Sequence, residues 1–318
     1  MKRTNQFNYW IESYMLMGSI QARELFEAVD GNINPIDDAY EDLLIKANEG
    51  DSRAQYLIGC FYYFGGKVES NHAIASQWFI KSANQNLVDA QTILGYQYMY
   101  GDGILKDIDK AIKFLEKAQG QGSAYACFLL GKIYQFDKEK KNRFTASGYY
   151  VWAIEMGSTE AKRYRADMYM ESGEYKEALD LYVKALKEGC VESAYNTANM
   201  FEYGRGCEIN DELAFSLYKY AAENGVMMAQ HNLGAFYYNA KLVEKDIRKA
   251  FKWYLKAAEQ GSSMSQHTIG LMYFNGDLTQ DLEVALEWFK KSQENGYKKS
   301  ELYIQDIKQM LNKSYVEH

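Results

Sequence analysis

Side chains able to do chemistry are scarce in this chain, and their spacing limits what they can build. There are four histidines, His72, His231, His267 and His318. His231 and His267 occupy equivalent positions one repeat apart, so stacked units would bring them to one surface, where two imidazoles begin a metal or proton-transfer site. A structural or catalytic metal needs further ligands. No carboxylate or thiol shares that position nearby, which favours two ordinary polar residues lining a groove. The four cysteines, Cys60, Cys127, Cys190 and Cys207, have neither pairwise regularity nor C-x-x-C spacing, as expected of reduced thiols in the cytoplasm. No P-loop, dinucleotide fingerprint, H-E-x-x-H pair or G-x-S-x-G turn occurs. The residues support no catalytic, cofactor or metal assignment, and the chain reads as a non-enzyme.

Its unusual wealth is aromatic: 28 tyrosines in 318 residues, against a single proline, Pro35. An interior proline costs a helix ~3 kcal/mol, so its near absence permits many uninterrupted helices. The net charge of −7 argues against a nucleic-acid binder and favours basic partners. The apolar stretch Tyr9–Met17 is broken by Glu12 and no small-residue cleavage site follows, which predicts an amphipathic helix and no signal peptide. No run approaches 18 apolar residues, so no membrane insertion is expected and the cytoplasm is the expected location.

The elements that position these residues are repeats. AQYLIGCFYYFGG begins at Ala54, AQTILGYQYMYGDG at Ala90, AQHNLGAFYYNAK at Ala229 and SQHTIGLMYFNGD at Ser265. Taking the central small residue as an anchor gives Gly59, Gly95, Gly131, Ala166, Ala198, Gly234 and Gly270, about 36 residues apart except for a shorter step from Ala166 to Ala198. Five residues before each anchor stands Ala or Ser, and three after it an aromatic: Tyr62, Tyr98, Tyr134, Tyr169, Phe201, Tyr237 or Tyr273. These positions share one face of a first helix, A, where small residues let a neighbouring helix approach.

A second helix, B, follows each A helix. Asn71, Asp107, Asn142, Asn210, Asp246 and Asp281 stand where side chains cap free N–H groups at a helix start, with Glu174 in the fourth unit. Large apolar pairs come next, among them Trp78–Phe79, Tyr149–Tyr150, Trp253–Tyr254 and Trp288–Phe289, with the tryptophans expected as buried wedges between helices. Gly50, Asn86, Gly122, Gly157, Gly189, Gly225, Gly261 and Gly296 then suit a left-handed helix end. A single helix pair cannot bury both faces, so units must stack.

In the best unit, Ala90, Leu94, Gly95, Tyr98, Gly101, Gly103, Asp107, Lys110 and Ala111 spell A-x-x-x-L-G-x-x-Y-x-x-G-x-G followed by D-x-x-K-A. This pattern resembles the Sel-one-like repeat family, relatives of tetratricopeptide repeats, over about Asp37 to Gly296. The fold expected is all-α, a right-handed superhelical solenoid of about seven helix-loop-helix repeats with helical caps. Residues 1–36 would form N-terminal capping helices, 37–297 the array, and 298–318 a C-terminal capping helix and tail with Leu302, Ile307 and Met310 turned inward. Arg165 and Thr197 replace the usual Leu, the loop Asp137–Arg143 lacks glycine, and the short step resembles a tetratricopeptide unit, so the array is expected to be irregular, with altered curvature, around 137–200.

The resemblance also implies where a partner protein docks. In such solenoids helix A lines the concave surface, through positions three before the anchor and one, four and five after it. Carried onto this sequence, those positions give Tyr56, Tyr63, Tyr96, Tyr100, Phe128, Lys132, Arg163, Glu171, Tyr195, Glu202, Tyr203, His231, Tyr238, His267 and Phe274. Such an aromatic set suits a protein-binding face, since rigid rings give much contact for few frozen rotors. Bacterial members act as adaptors, regulators or immunity proteins. An acidic solenoid with an aromatic groove fits an immunity protein that neutralises a basic toxin, and the alternative is a secreted effector or signalling adaptor.

Overall fold

The computed structural model of the protein describes residues 35–65 and 68–316. The expected N-terminal caps thus lie almost wholly outside the described residues, as does His318. Among the described residues there are sixteen α-helices and no strand. After α1 (Pro35–Asn48) they alternate as A and B helices. The A helices are α2 (Ser52–Phe64), α4 (Val88–Tyr100), α6 (Ala124–Phe136), α8 (Thr159–Ser172), α10 (Val191–Tyr203), α12 (Met227–Asn239) and α14 (Ser263–Asn275). The B helices are α3 (His72–Asn84), α5 (Ile108–Gly120), α7 (Arg143–Glu155), α9 (Tyr175–Lys187), α11 (Asp211–Glu223), α13 (Ile247–Glu259) and α15 (Leu282–Glu294), and α16 (Ser300–Val316) ends the series. The chain is an all-α solenoid of helix pairs. It divides into two compact units between Arg165 and Ala166.

Local chemistry sets the helix boundaries. Asn71, Asp107, Asn142, Asn210, Asp246 and Asp281 each accept a backbone N–H of the first turn of their B helix, which satisfies donors that the helix itself leaves free. Glu174, the one long side chain in this column, makes no such cap. Here α8 and α9 are joined by Gly173 and Glu174 alone, whereas residues 101–107 separate α4 from α5. The turns after the B helices run through left-handed residues, Gly122 at φ 89° and even Asn86 at φ 66°.

In the five repeats anchored on glycine, the core is a large apolar side chain pressed onto the anchor. A β-carbon at Gly131 would lie 2.4 Å from the Tyr150 ring, and one at Gly95 would lie 2.5 Å from Leu115. Only a bare glycine permits that approach. Phe79 fits on Gly59, Tyr254 on Gly234 and Phe289 on Gly270 in the same way, and all these large residues are buried. The wedge is therefore the second member of each apolar pair. The tryptophans were expected to fill that role, but Trp78, Trp253 and Trp288 are only half-buried and Trp152 is exposed. Position explains the difference: one residue along a helix turns the side chain by about 100°, off the anchor and toward the rim. There Lys81, Lys256 and Lys291, three residues on, cover the rings of Trp78, Trp253 and Trp288 at 4.0, 4.2 and 4.6 Å.

A glutamine ladder ties successive repeats. In the first unit Gln55 Nε2 donates to the Ala47 carbonyl (3.0 Å), and Gln85 Nε2 donates to Gln55 Oε1 (2.8 Å). Gln91 repeats this with Ala83 and Gln121. In the second unit Gln230 bridges Ala222 and Gln260, and Gln266 bridges Ala258 and Asn295. Each buried amide thus joins the end of one B helix, the next A helix and the end of the following B helix, so its desolvation is offset on both sides. Cys127, Lys162 and Ala194 hold the same position in the intervening repeats, and a thiol, an ammonium or a methyl cannot make the double bond.

Gln97 breaks the rule. It is fully buried in α4, and neither its Nε2 nor its Oε1 finds a hydrogen-bond partner among the described residues. Equivalent positions hold Phe61, Ile133, Met168, Met200, Phe236 and Met272. Leaving a buried amide unsatisfied costs about 1–3 kcal/mol, and methionine has similar length with an adaptable chain. Gln97→Met is expected to stabilise the protein by about that amount, read as a higher denaturant midpoint at unchanged slope.

The C-terminal helix α16 covers the last repeat with Ile304 and Ile307, both buried, and Leu311 packs beside them. Leu302 and Met310, expected inward, are exposed. The buried stripe runs i, i+3, i+7, and Leu302 and Met310 fall to either side of it.

Candidate protein-binding surface

The residues of the expected groove separate into buried and open sets. In the first unit, Tyr56 and Phe128, three before their anchors, are buried and pack on the wedges Phe79 (5.8 Å) and Tyr150 (6.3 Å). Tyr63 is buried too: it donates to Asp102 Oδ2 at 2.5 Å and stacks on His72, whose Nδ1 meets Asp102 Oδ1 at 2.5 Å. In the second unit His267 is buried. These four side chains hold repeats together and are not presented at the surface, whereas Arg163 and Tyr195 at position −3 and Tyr238 and Phe274 at +4 are only partly covered.

Position +5 is open. Tyr100 is 46% exposed and Phe136 58% on successive A helices of the first unit, and Tyr203 is 58% exposed in the second. Tyr96 is half-buried against Tyr100 at 4.7 Å, and burial pushes its phenol well above the ordinary range, keeping it a donor. Lys132 is the hub of the first unit's surface. Its Nζ donates to the Tyr100 hydroxyl at 2.7 Å and lies 5.4, 5.5 and 5.7 Å from the rings of Tyr100, Tyr164 and Phe128. Arg163 covers Tyr164 at 4.3 Å. The result is a half-exposed floor of rings carrying cations on their faces.

In the second unit Glu171 is exposed, Tyr195 is half-buried beside Tyr218 at 5.8 Å, and Phe274 packs partly on Tyr303 at 5.6 Å. Tyr238 donates to Asp277 at 2.7 Å, and this bond pushes its phenol up to about 12. Glu202 is fully engaged, with Oε2 accepting the Tyr218 hydroxyl (2.8 Å) and Oε1 the Lys241 ammonium (3.0 Å). Lys241 also meets Asp211 at 2.8 Å. Glu202, Tyr203, Asn232, Ala235, Phe236, Asn239 and Lys241 line a cleft of ≈ 240 Å³.

Lys241, Asp211 and Asn232 were missed in the sequence, since they lie off the four groove positions. A signal existed in pairs. Position +4 of one repeat reaches position +7 of the next, as Tyr63–Asp102, Glu202–Lys241 and Tyr238–Asp277, so an acid at +4 goes with a lysine at +7.

The two histidines do not meet as a site. His231 Nδ1 bonds Ser265 Oγ (2.8 Å) and packs on Tyr254, while His267 Nδ1 bonds Ser300 Oγ (2.9 Å) and packs on Phe289. Among the described residues no three potential ligands gather to hold a metal. The four thiols are free, and burial raises those of Cys60, Cys127 and Cys207, leaving them poor nucleophiles.

Burial lowers both imidazoles, with Lys299 adding to the effect at His267. The unfolded chain then binds more protons than the fold, so stability is full above the ordinary value of about 6.5 and is lost as pH falls through the lower folded values. The thermal midpoint is expected to drop between about pH 7 and pH 5, and His267→Gln to flatten that drop. Burial raises Asp89, which acts in the opposite sense, so the wild-type-minus-variant difference is the measurement that isolates His267.

The repeat geometry has a counterpart in one protein family. The profile of the Sel1 repeat matches residues 52–87, 88–123, 124–151, 191–226, 228–262 and 263–297. The chain belongs to the Sel1 repeat family. The Sel1 repeats so matched leave out residues 152–190, where α8 and α9 are joined by the shortened loop. The ERAD-associated E3 ubiquitin-protein ligase component HRD3 of Candida glabrata is similar, with 24% identity over 52% of this chain. The match spans about a fifth of that relative's length, 21%. Among solved structures, the uropathogenic Escherichia coli protective antigen c5321, which displays an SLR fold, superposes with TM-score 0.67 at 26% identity over 95% of this chain and 66% of its own. A Sel1 repeat protein from Oxalobacter formigenes superposes with TM-score 0.68 at 24% identity, covering 95% of this chain and 93% of its own. Sel1 repeat proteins are typically protein-interaction scaffolds, generally without catalysis. No helix among the described residues is long and apolar enough to cross a membrane.

Proposed function

We propose that the chain is a non-enzymatic scaffold that holds a partner protein on the open face of its A helices. One observation carries the reading: Tyr100, Phe136 and Tyr203 stand at the same position of three repeats, large and about half exposed. In the first unit Tyr96, Lys132 and Arg163 accompany the open rings on the A helices, with Tyr56, Tyr63 and Phe128 buried behind them; in the second unit Glu171, Tyr195, Tyr238 and Phe274 lie on the A helices, with His267 buried. The names of curated relatives agree in kind, one being a ligase component and another, from Saccharomyces cerevisiae, a chitin synthase regulator.

The net charge of −7 favours a basic partner, with exposed Glu171 available to steer it. Reversing Glu202 instead would break its bonds to Tyr218 and Lys241, so that change reads as damage to the fold. An immunity protein facing a basic toxin, a cytoplasmic adaptor and a secreted effector would all use such a face. The partner captured by the full chain, and lost from a Tyr100→Ala, Tyr203→Ala double variant, tells them apart. A folded double variant that retains its partner at full affinity refutes the assigned face.

A further inference from the structure

The second unit's cleft holds one of the chain's own cations, Lys241, against the carboxylate of Glu202. We propose that it is a seat for a lysine or arginine side chain of the protein partner, and that Lys241 is an internal occupant displaced on binding. This rests on the scaffold reading and adds the chemistry of one contact.

Size comes first. At ≈ 240 Å³ the cleft falls below the ~300–1,000 Å³ typical of pockets for drug-sized ligands and cofactors, and it suits a single long side chain. Charge comes second. Lys241 lies between Glu202 (3.0 Å) and Asp211 (2.8 Å), so two carboxylates share one ammonium. The rings agree: Phe236 carries Lys241 at 5.1 Å, and Tyr203, open to solvent, carries Arg205 at 5.5 Å. Both faces already take cations. Asn239, exposed and also lining the cleft, has an amide that can donate to and accept from an incoming peptide backbone.

The loop that delivers Lys241 is strained. Ala240 and Leu242, its two neighbours, sit at φ 57° and 65°, where other repeats place Gly101 and Gly103 or Gly204 and Gly206, also at positive φ. An L residue pays a penalty there that glycine does not. The ion pairs of Lys241 fix the one side chain between them, and an incoming cation would take its carboxylates.

The probe is Nα-acetyl-argininamide, titrated into the full chain while backbone amide resonances of α10 and α12 are followed. Saturable shifts confined to the cleft are expected. Lys241→Met should tighten binding about tenfold by freeing both carboxylates, and Glu202→Gln should weaken it about tenfold. Nα-acetyl-glutaminamide should shift nothing. A Lys241→Met protein that is folded and binds the arginine probe no better than wild type overturns the internal occupant. If that variant does not fold, Tyr203→Ala, at an exposed position, takes its place: affinity should fall severalfold, and unchanged affinity overturns the seat. A cleft indifferent to the probe, alongside partner capture that still depends on Tyr100, removes the seat and leaves the scaffold reading standing; loss of both removes both.

Discussion

Phe289→Ala is expected to cost about 3–5 kcal/mol of unfolding free energy, while Trp288→Ala, one residue earlier and with a larger ring, costs about 1–2 kcal/mol. Phe289 is fully buried on Gly270, stacks on Tyr303 at 4.8 Å and meets the His267 ring at 5.1 Å. Truncating it leaves a void that the helices cannot close, because the glycine opposite has no side chain to move into it. Trp288 keeps one face toward Lys291 and solvent, so its loss opens no sealed cavity. Urea unfolding of both variants measures the difference. Hydrogen exchange on Phe289→Ala should show protection lost chiefly in α14, α15 and α16, since repeat arrays couple mainly through nearest neighbours. A Trp288→Ala variant as damaged as Phe289→Ala would mean that the wedge has been misassigned.

The error over tryptophan marks where sequence reading stops. Columns of Ala, Gly, Asn and Asp were legible because each has a local cause: a helix start needs an oxygen, a helix end a left-handed residue, a close crossing a missing side chain. Such causes act within a few residues and recur with the period. Which member of Trp288–Phe289 points inward depends on the rotation of the helix against its neighbour, about 100° per residue, and hydrophobicity ranks both members as core. The same ambiguity turned Leu302 and Met310 outward. Among the groove residues, Tyr56, Tyr63, Phe128 and His267 fell in the interior while others at the same two positions stayed partly open, a difference set by each neighbouring helix that no single repeat displays. The glutamine ladder was visible as Gln55, Gln91, Gln230 and Gln266 in one column, yet its purpose shows only when Ala47 and Gln85 are brought to either side of Gln55.

Tyr100→Ala and Tyr203→Ala are each expected to weaken partner binding by about 2 kcal/mol or more, roughly thirtyfold in Kd, while leaving the fold nearly unchanged. The two halves of that expectation have separate grounds. Stability is spared because both rings are about half exposed, at 46% and 58%, and neither belongs to a buried cluster. Truncation removes only partial burial, so the change in unfolding free energy should stay under about 1 kcal/mol. Binding suffers because an open aromatic ring that becomes desolvated against a partner returns its whole face as new buried area, with two rotors to freeze. Tyr100 brings Lys132 with it through the 2.7 Å bond to its hydroxyl, so Tyr100→Phe separates ring from hydroxyl and should retain most of the affinity if the ring face carries the contact. Trp253→Ala serves as the contrast: its ring lies on a B helix under Lys256, away from the A-helix face, and should leave binding intact. Calorimetric titration of the captured partner against these variants, each first checked by circular dichroism, decides the matter. Equal affinity for wild type and a folded Tyr100→Ala, Tyr203→Ala protein would move the contact to the B helices or the loops.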